Sequence, residues 1–569
     1  MKKNLSIVIL LISLAISQSV FSQTYSFEKG KVPEGWKIDK GVLHISSEKY
    51  KSGSRSLQIK WKQNAVLTIP SPTGISEACR NRNGGMNAWI YNESPTKENL
   101  LFSFRDETGK EVCQLPFLLD FKGWRCIWAK FQGDMNMSSK SNIQSVEIQF
   151  PQHTKKGVTY IDLLEFTSKV SWQNMSDAQY KVNRTDYSLI PDFIGYRNAT
   201  PKVEKVITAE DNQITTITNR LTTWYLGSGQ HSSERWIKMR TENEKTFIRN
   251  GVKAAQKIKI QYTEDHTPQG EPLFPMGAPT IIDGQEAKKF RSINENILLP
   301  LALDYRKNQN DQSLKKALYI YDWFNDQGWA DGSSMGTLCF EKLRSSGYFH
   351  SFFLLKEQLS PEQLKRELQT MNWFTMFGAC YQLPSHAGEV ADNLRALAIP
   401  KLIYALSQND KQEREVALTA FKHYMDNALG IAPGFFGTFK ADFSGYHHRG
   451  SYHSAYYPHA LYAGALIAYL LHDTPYALSE TTLHNLKQGL LTFRFFCADL
   501  EVPAGTVGRF PKGQQILETL LPAFAYTALS FKEPDKELTA AFKRILESTE
   551  NQQAITEYIS NVNSNLAYT

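Results

Sequence analysis

Ser479-Glu480-Thr481-Thr482 leads into a stretch where Leu483, Leu486, Leu490 and Phe493 recur at steps of three and four. Those steps put apolar side chains on one face of a helix, and a serine just ahead of them reads as a helix start. The same period governs the second half of the chain. Ser360-Pro361-Glu362-Gln363 offers a capping serine, a proline suited to the first turn and a glutamine that closes a capping box. Further helical runs are predicted over 313–326, 389–407, 411–428, 458–472, 514–531 and 535–548. Many helices joined by short Gly- and Pro-bearing connections predict paired antiparallel helices. An α/α toroid is one such array, and periodicity alone does not choose among them.

Toward the N-terminus the period falls to two. Leu57-Gln58-Ile59-Lys60-Trp61, Leu101-Phe102-Ser103-Phe104 and Val146-Glu147-Ile148-Gln149-Phe150 alternate. Lys51-Ser52-Gly53-Ser54 and Asp106-Glu107-Thr108-Gly109 supply turns between them. Short strands at this spacing predict an antiparallel β-sandwich over residues 23–168. Ser52-Gly53-Ser54-Arg55-Ser56-Leu57, with Gly123-Trp124-Arg125, is similar to galactose-binding-like jelly rolls, a carbohydrate-binding type. Residues 169–205 show weak periodicity around Asn174, Asp177, Asn183 and Pro191 and read as a surface linker to a helical domain over 206–569.

Residues 1–22 carry Lys2 and Lys3, an apolar stretch from Leu5 to Ile16, and Ser22-Gln23 as a cleavage point. They read as a secretory signal peptide, so the mature protein is expected to be secreted or periplasmic. No other stretch is long enough for a membrane span. The formal net charge of +7 becomes +5 once Lys2 and Lys3 leave. That mild excess suits an anionic polysaccharide, and no basic run or nucleic-acid motif points to DNA or RNA. Aromatics make up 12% of the chain, which fits either stacking on sugar rings or large cores. The six cysteines match no zinc spacing and are expected mostly as buried thiols.

The densest chemistry lies in Asp442-Phe443-Ser444-Gly445-Tyr446-His447-His448-Arg449-Gly450-Ser451-Tyr452-His453-Ser454-Ala455-Tyr456-Tyr457-Pro458-His459. It holds four of the 13 histidines and lies between two predicted helices. A loop so rich in titratable groups on a helical scaffold is a site candidate, with packing against a neighbouring domain as the plainer explanation.

His448-x-Gly450-x-Tyr452, then Tyr456, then Tyr469-Leu470-Leu471-His472-Asp473-Thr474-Pro475 run in order along this region. Pro503-Ala504-Gly505 and Gly508-Arg509-Phe510-Pro511 follow, while Gln327-Gly328-x-x-x-Gly332-Ser333 and Asn393-Leu394-Arg395-Ala396-Leu397 precede. With these motifs the sequence resembles the chondroitin ABC lyases, in the polysaccharide lyase family that includes hyaluronate and chondroitin AC lyases. The resemblance spans residues 24 to about 550. It implies a jelly-roll module, an incomplete α/α toroid, and β-elimination at a uronic acid of a glycosaminoglycan such as chondroitin or dermatan sulfate, or hyaluronan. That reaction needs a base for the C5 proton, a partner that neutralises the carboxylate, and an acid for the leaving oxygen.

On this resemblance Tyr456 is the family tyrosine, acting as base, acid or both. A free phenol has a pKa of about 10, so it needs positive charge nearby to act as a base. His448 is the family histidine, a base or a carboxylate partner, and Arg509 the arginine that steadies Tyr456 and holds the sugar. Asn393 falls where relatives hydrogen-bond the carboxylate. His447 competes with His448, because the loop is one residue longer than in the family, and Tyr452 and Tyr457 remain alternatives to Tyr456. Trp329, like Trp323 and Trp373, either lines the glycan cleft or packs in the core. His350 reads as a structural histidine. The family continues into large β-sandwich domains that supply a cleft wall and a catalytic glutamate, whereas this sequence stops at Thr569. The expectation is therefore the jelly roll and toroid without those domains.

No cofactor is required by this chemistry; Asp442 with Ser444 and Tyr446 is the place weighed for a divalent cation such as calcium. Two other functions compete. One is a non-catalytic glycan-binding protein. The other is an inverting glycoside hydrolase drawing its carboxylates from Asp331, Glu389, Asp392, Asp442 and Glu501.

Overall fold

A computed structural model describes residues 24–171, 176–181, 194–227, 235–262, 267–273, 285–335, 344–453, 456–498, 500–507 and 520–549. The first strands are β1 (Lys37–Ile38), β2 (Gly41–Ser46), β3 (Ser56–Lys62), β4 (Val66–Pro70) and β5 (Gly85–Asn92). They are followed by β6 (Asn99–Arg105), β7 (Glu111–Leu118), β8 (Gly123–Lys130), β9 (Ser145–Gln149) and β10 (Lys156–Thr167). They form two five-stranded sheets, ordered β1-β4-β9-β6-β7 and β2-β3-β10-β5-β8. The neighbours pair antiparallel, as in the β3–β10 and β6–β9 ladders. Alternation does what the sequence predicts: Leu57, Ile59 and Trp61 of β3 share a core with Leu67, Ile69, Phe102, Phe104 and Ile148. The short helix α1 (Ile75–Arg80) buries Ile75, Ala78 and Cys79 in the same core.

The other face of the second sheet carries a separate aromatic cluster of Trp89, Tyr91, Trp124, Trp128 and Tyr160. An open face of this kind would offer a sugar platform, but these rings are at most 5% exposed. Later parts of the chain close it. The Trp128 amide donates to the Tyr180 hydroxyl at 2.6 Å. The Asp177 carboxylate accepts from the amides of Cys126 and Ser334. The Tyr91 hydroxyl donates to Asp326 at 2.6 Å, and the Lys49 ammonium reaches the same oxygen at 3.2 Å. Lys51 lies over the Trp89 ring and donates to the Gln327 carbonyl. Burial brings the Lys51 ammonium down to about 7, against the pull of nearby acidic groups.

The first compact unit therefore comprises residues up to 190 together with 262–286 and 324–338. The division is not a single cut near residue 205. Nor are the described residues of the expected linker all at the surface: Asp177, Gln179 and Tyr180 are buried, because they satisfy backbone groups of the sandwich.

Beyond the sandwich come α2 (Asp211–Leu226), α3 (Arg235–Ala255), α4 (Gln285–Ile293), α5 (Leu299–Asn308), α6 (Asp311–Asp326), α7 (Ser346–Leu355) and α8 (Pro361–Thr375). The series ends with α9 (Ala391–Leu406), α10 (Lys411–Ala428), α11 (Tyr457–Leu471), α12 (Glu480–Phe496), α13 (Leu521–Leu529) and α14 (Lys536–Thr549). Ser360 and Gln363 form the predicted capping box, and Ser479 caps α12 through the Thr482 amide. Helices next but one in sequence pack together: α5 on α7, α7 on α9, α9 on α11 and α11 on α13. The helices between them lie against this row, α8 and α10 on α9, and α12 on α11 and α13. This is the two-layer alternation of an α/α array, and α2 touches both α5 and α11. Within it, α9 is anchored by buried Lys401, which donates to the Thr375 and Met376 carbonyls at 2.6 and 2.7 Å. A cation there satisfies orphan carbonyls at the negative end of α8. Among the described residues no helix is long and apolar enough to cross a membrane.

The Lys49–Asp326 pair is buried on both sides. Removing one partner strands a charge, which costs about 3–5 kcal/mol. Asp326→Ala is expected to lower unfolding free energy by that order in urea titration. Tyr91→Phe, which removes only one hydrogen bond to the carboxylate, is expected to cost about 1–3 kcal/mol.

Candidate active site

The site is built where the first turn of α9 meets the loop that precedes α11. Asp392 and Arg395, three residues apart at the start of α9, pair at 2.7 Å through one carboxylate oxygen. The other oxygen faces the His447 Nε2 at 3.4 Å, an ion-pair separation rather than a well-directed hydrogen bond. Burial alone would raise the Asp392 carboxyl, but His447 and Arg395 outweigh it and hold the group at about 2.

His447 sits on a minimal hairpin of β11 (Tyr446–His447) and β12 (Gly450–Ser451), paired Tyr446 to Ser451 and His447 to Gly450. His448 and Arg449 form its two-residue turn, with φ of 48° and 65°. Positive φ at both central residues matches the strand twist, but for side chains other than glycine it costs about 1–2 kcal/mol each. The surrounding bonds hold this strained turn. The Gly445 amide donates to His453 Nε2 at 3.4 Å, and His453 Nδ1 meets the Ser451 hydroxyl at 3.1 Å. The Tyr446 amide is tied to the Thr438 carbonyl and the Tyr452 amide to that of Gly445. The turn leaves His448 at the surface and His447 buried.

Tyr456 is the N-cap residue of α11, with Pro458 in the first turn fixing where the helix begins. Its ring stacks on His447 with centroids 3.9 Å apart and planes inclined by 21°. His448 and Tyr452 meet it edge-on at 5.5 and 5.0 Å. The Arg395 guanidinium lies 5.4 Å from the ring centroid. A cation is thus set beside the phenol first in line, by the resemblance, for proton transfer. Asn393 donates to Glu389 at 3.2 Å, and Glu389 also accepts from the Val390 amide and the Tyr424 hydroxyl.

Of the residues singled out from sequence, His447, His448, Tyr452 and Tyr456 form one cluster, and Asn393 lies in the same α9 turn that supplies Asp392 and Arg395. Tyr457 faces the other way: fully buried, it donates to the Phe443 carbonyl at 2.8 Å, and burial holds its phenol protonated. Trp329 has no face left for a sugar, because it is fully buried in the first unit, and Trp323 and Trp373 are buried as well. Arg509 lies outside the described residues. At the place weighed for a cation, Asp442 and Ser444 bond to each other, and the Lys440 ammonium lies over the Tyr446 ring. Among the described residues no three His, Cys, Asp or Glu side chains gather as a metal group. Sequence reasoning did not single out Arg395. Its signal was the Asp392-x-x-Arg395 spacing at a helix start, which pairs a cation with a carboxylate on one face.

The family model described as "Lyase, catalytic" matches residues 200–552, and that described as "Lyase, N terminal" matches residues 21–182. The chain belongs to this lyase family. It is similar to a chondroitin sulfate ABC exolyase of Bacteroides thetaiotaomicron, 26% identical over 95% of this chain and 54% of that protein. It is also similar to a chondroitin sulfate ABC endolyase of Proteus vulgaris, 24% identical over 93% of this chain and 55% of that protein. The chain thus spans about half the length of these curated relatives. Among solved structures, a Paenibacillus xanthan lyase aligns with a TM-score of 0.48 at 12% identity, over 62% of this chain and 34% of that one.

His453 gives this chain an acid limit. Burial brings its ring from 6.5 down to about 4. A depressed folded value means stability that is present above pH 6.5 and lost as pH falls through 4. The shift corresponds to about 3 kcal/mol. The fall in unfolding free energy from pH 7 to 4, to which buried His350 and His459 also contribute, is expected to shrink by that order in His453→Gln.

Proposed function

We propose that this chain acts as a polysaccharide lyase on uronate-containing glycosaminoglycans, exported from the cell by its leader. The observation that carries the reading is a tyrosine, Tyr456, with an imidazole stacked on its ring and a guanidinium within cation–π distance. In this reading the C5–H bond of the uronate breaks toward a base, the C4–O4 bond breaks, and the pair from C5 forms a C4–C5 double bond. Tyr456 gives or takes the proton. His447 or His448 serves as the second proton carrier. Asn393, steadied by Glu389, hydrogen-bonds the carboxylate as charge grows on it. Arg509 takes part in holding the sugar on sequence grounds alone.

The carboxylates near Tyr456 argue against a hydrolase. An inverting hydrolase needs one carboxyl held protonated. Asp392 is instead held ionised by Arg395 and His447, and both Glu389 oxygens already accept hydrogen bonds.

The test is ultraviolet absorbance of the unsaturated sugar end after adding the protein to chondroitin sulfate. A rise with wild type is expected. Tyr456→Phe should lower kcat by about 10³-fold while keeping retention on the polymer. Tyr457→Phe should change kcat far less. Equal losses in both variants would sink the assignment of Tyr456, and a saturated product would sink the elimination itself.

A further inference from the structure

A groove of about 590 Å³ lies between α3 and α5, apart from the residues assigned to proton transfer. Its floor is apolar, formed by Ile248 and Val252. Its rim carries Lys245, Arg249 and Lys253, spaced four residues apart on α3. Side chains four apart stand on one face of a helix about 6 Å from one another, so these cations form a row. All three are exposed.

The groove's two acids do not cancel that row. Glu244 is buried and paired with Lys307 on α5. Asp304 accepts from the Asn308 and Asn310 amides and the Ser313 hydroxyl. Lys245 meets only Glu242 across an exposed pair, which is worth little. Arg249 bonds the Thr246 hydroxyl, and Lys253 forms no ion pair among the described residues.

We infer that this groove is a second binding site for an anionic polysaccharide chain, with the α3 row reading its sulfates and carboxylates. An apolar floor beneath a rim of cations matches a pyranose ring, whose apolar face bears anionic groups at its edge. A nucleic acid is the less suited occupant, since the aromatic stacking platform that single strands require is missing from the lining. The inference rests on the glycosaminoglycan reading above for its ligand. Its role would be to hold a long chain while another part of it reacts, adding avidity without altering chemistry.

The experiment compares wild type with Lys245→Ala/Arg249→Ala/Lys253→Ala, and with a control, Lys31→Ala/Lys62→Ala/Lys140→Ala, which removes the same charge from exposed positions of the sandwich unit. Alanine keeps α3 helical. Affinity for immobilised chondroitin sulfate is measured across salt, and elimination is measured on the polymer and on a tetrasaccharide. The groove variant is expected to bind the polymer about tenfold more weakly. Its slope of log affinity against log salt is expected to be shallower by about two, because three fewer cations displace counterions. Its kcat/KM on the tetrasaccharide should match wild type, and the control should bind as wild type does.

Wild-type binding by the groove variant overturns the inference, and so does an equal loss in the control. A DNA duplex bound by wild type as tightly as chondroitin sulfate, with the same dependence on the row, overturns the saccharide assignment. If wild type makes no unsaturated product yet the groove variant alone loses retention, the lyase reading fails while the groove stands.

Discussion

One carboxylate organises the candidate site. Asp392 has two oxygens, one taken by Arg395 and the other turned to His447. A charged acceptor makes a stronger bond to the Arg395 guanidinium than a neutral partner would. It also sets geometry, because Arg395 and His447 both approach the Tyr456 ring. The helix that carries Asp392 is itself fixed from behind, through Lys401 at the end of α8 and through its packing on α11. The chemistry of a loop is thereby referred to the first turn of a helix held in the array.

Much of this architecture could be read from periodicity. The run predicted over 411–428 is helix α10 with the same ends, and that predicted over 458–472 is α11 shifted by one residue. Ser360 and Ser479 act as the caps their neighbours suggested, since capping is local chemistry. The sandwich was legible for the same reason. Interleaving of the chain was not, because nothing local in residues 324–335 says that their partners are Lys49, Tyr91 and Cys126. At the site, adjacent tyrosines 456 and 457 look alike in sequence. They part only when Pro458 sets the start of α11, which leaves one ring among the histidines and turns the other inward. Arg395 stayed in the background because its importance comes from a ring on another helix.

The aromatic content illustrates how far composition reaches. It suited both sugar stacking and large cores, and in the described residues much of it is core. Trp61, Trp89, Trp124, Trp323, Trp329 and Trp373 are all fully buried. The cysteines follow the plainer expectation. Cys79, Cys113, Cys126, Cys380 and Cys497 are buried free thiols, raised by burial and so poor nucleophiles, while Cys339 lies outside the described residues.

The interleaved first unit also has a meaning in time. A ribosome releases the ten strands of the sandwich by residue 167, but the residues that cover the Trp89, Tyr91 and Trp124 face extend to position 335. At about 5–20 residues per second, roughly ten to thirty seconds separate the two. Throughout that interval the aromatic face lacks part of its cover, and Lys49 waits without its carboxylate. The sandwich is first in the sequence, and yet it cannot finish folding until residues from the helical half have been made.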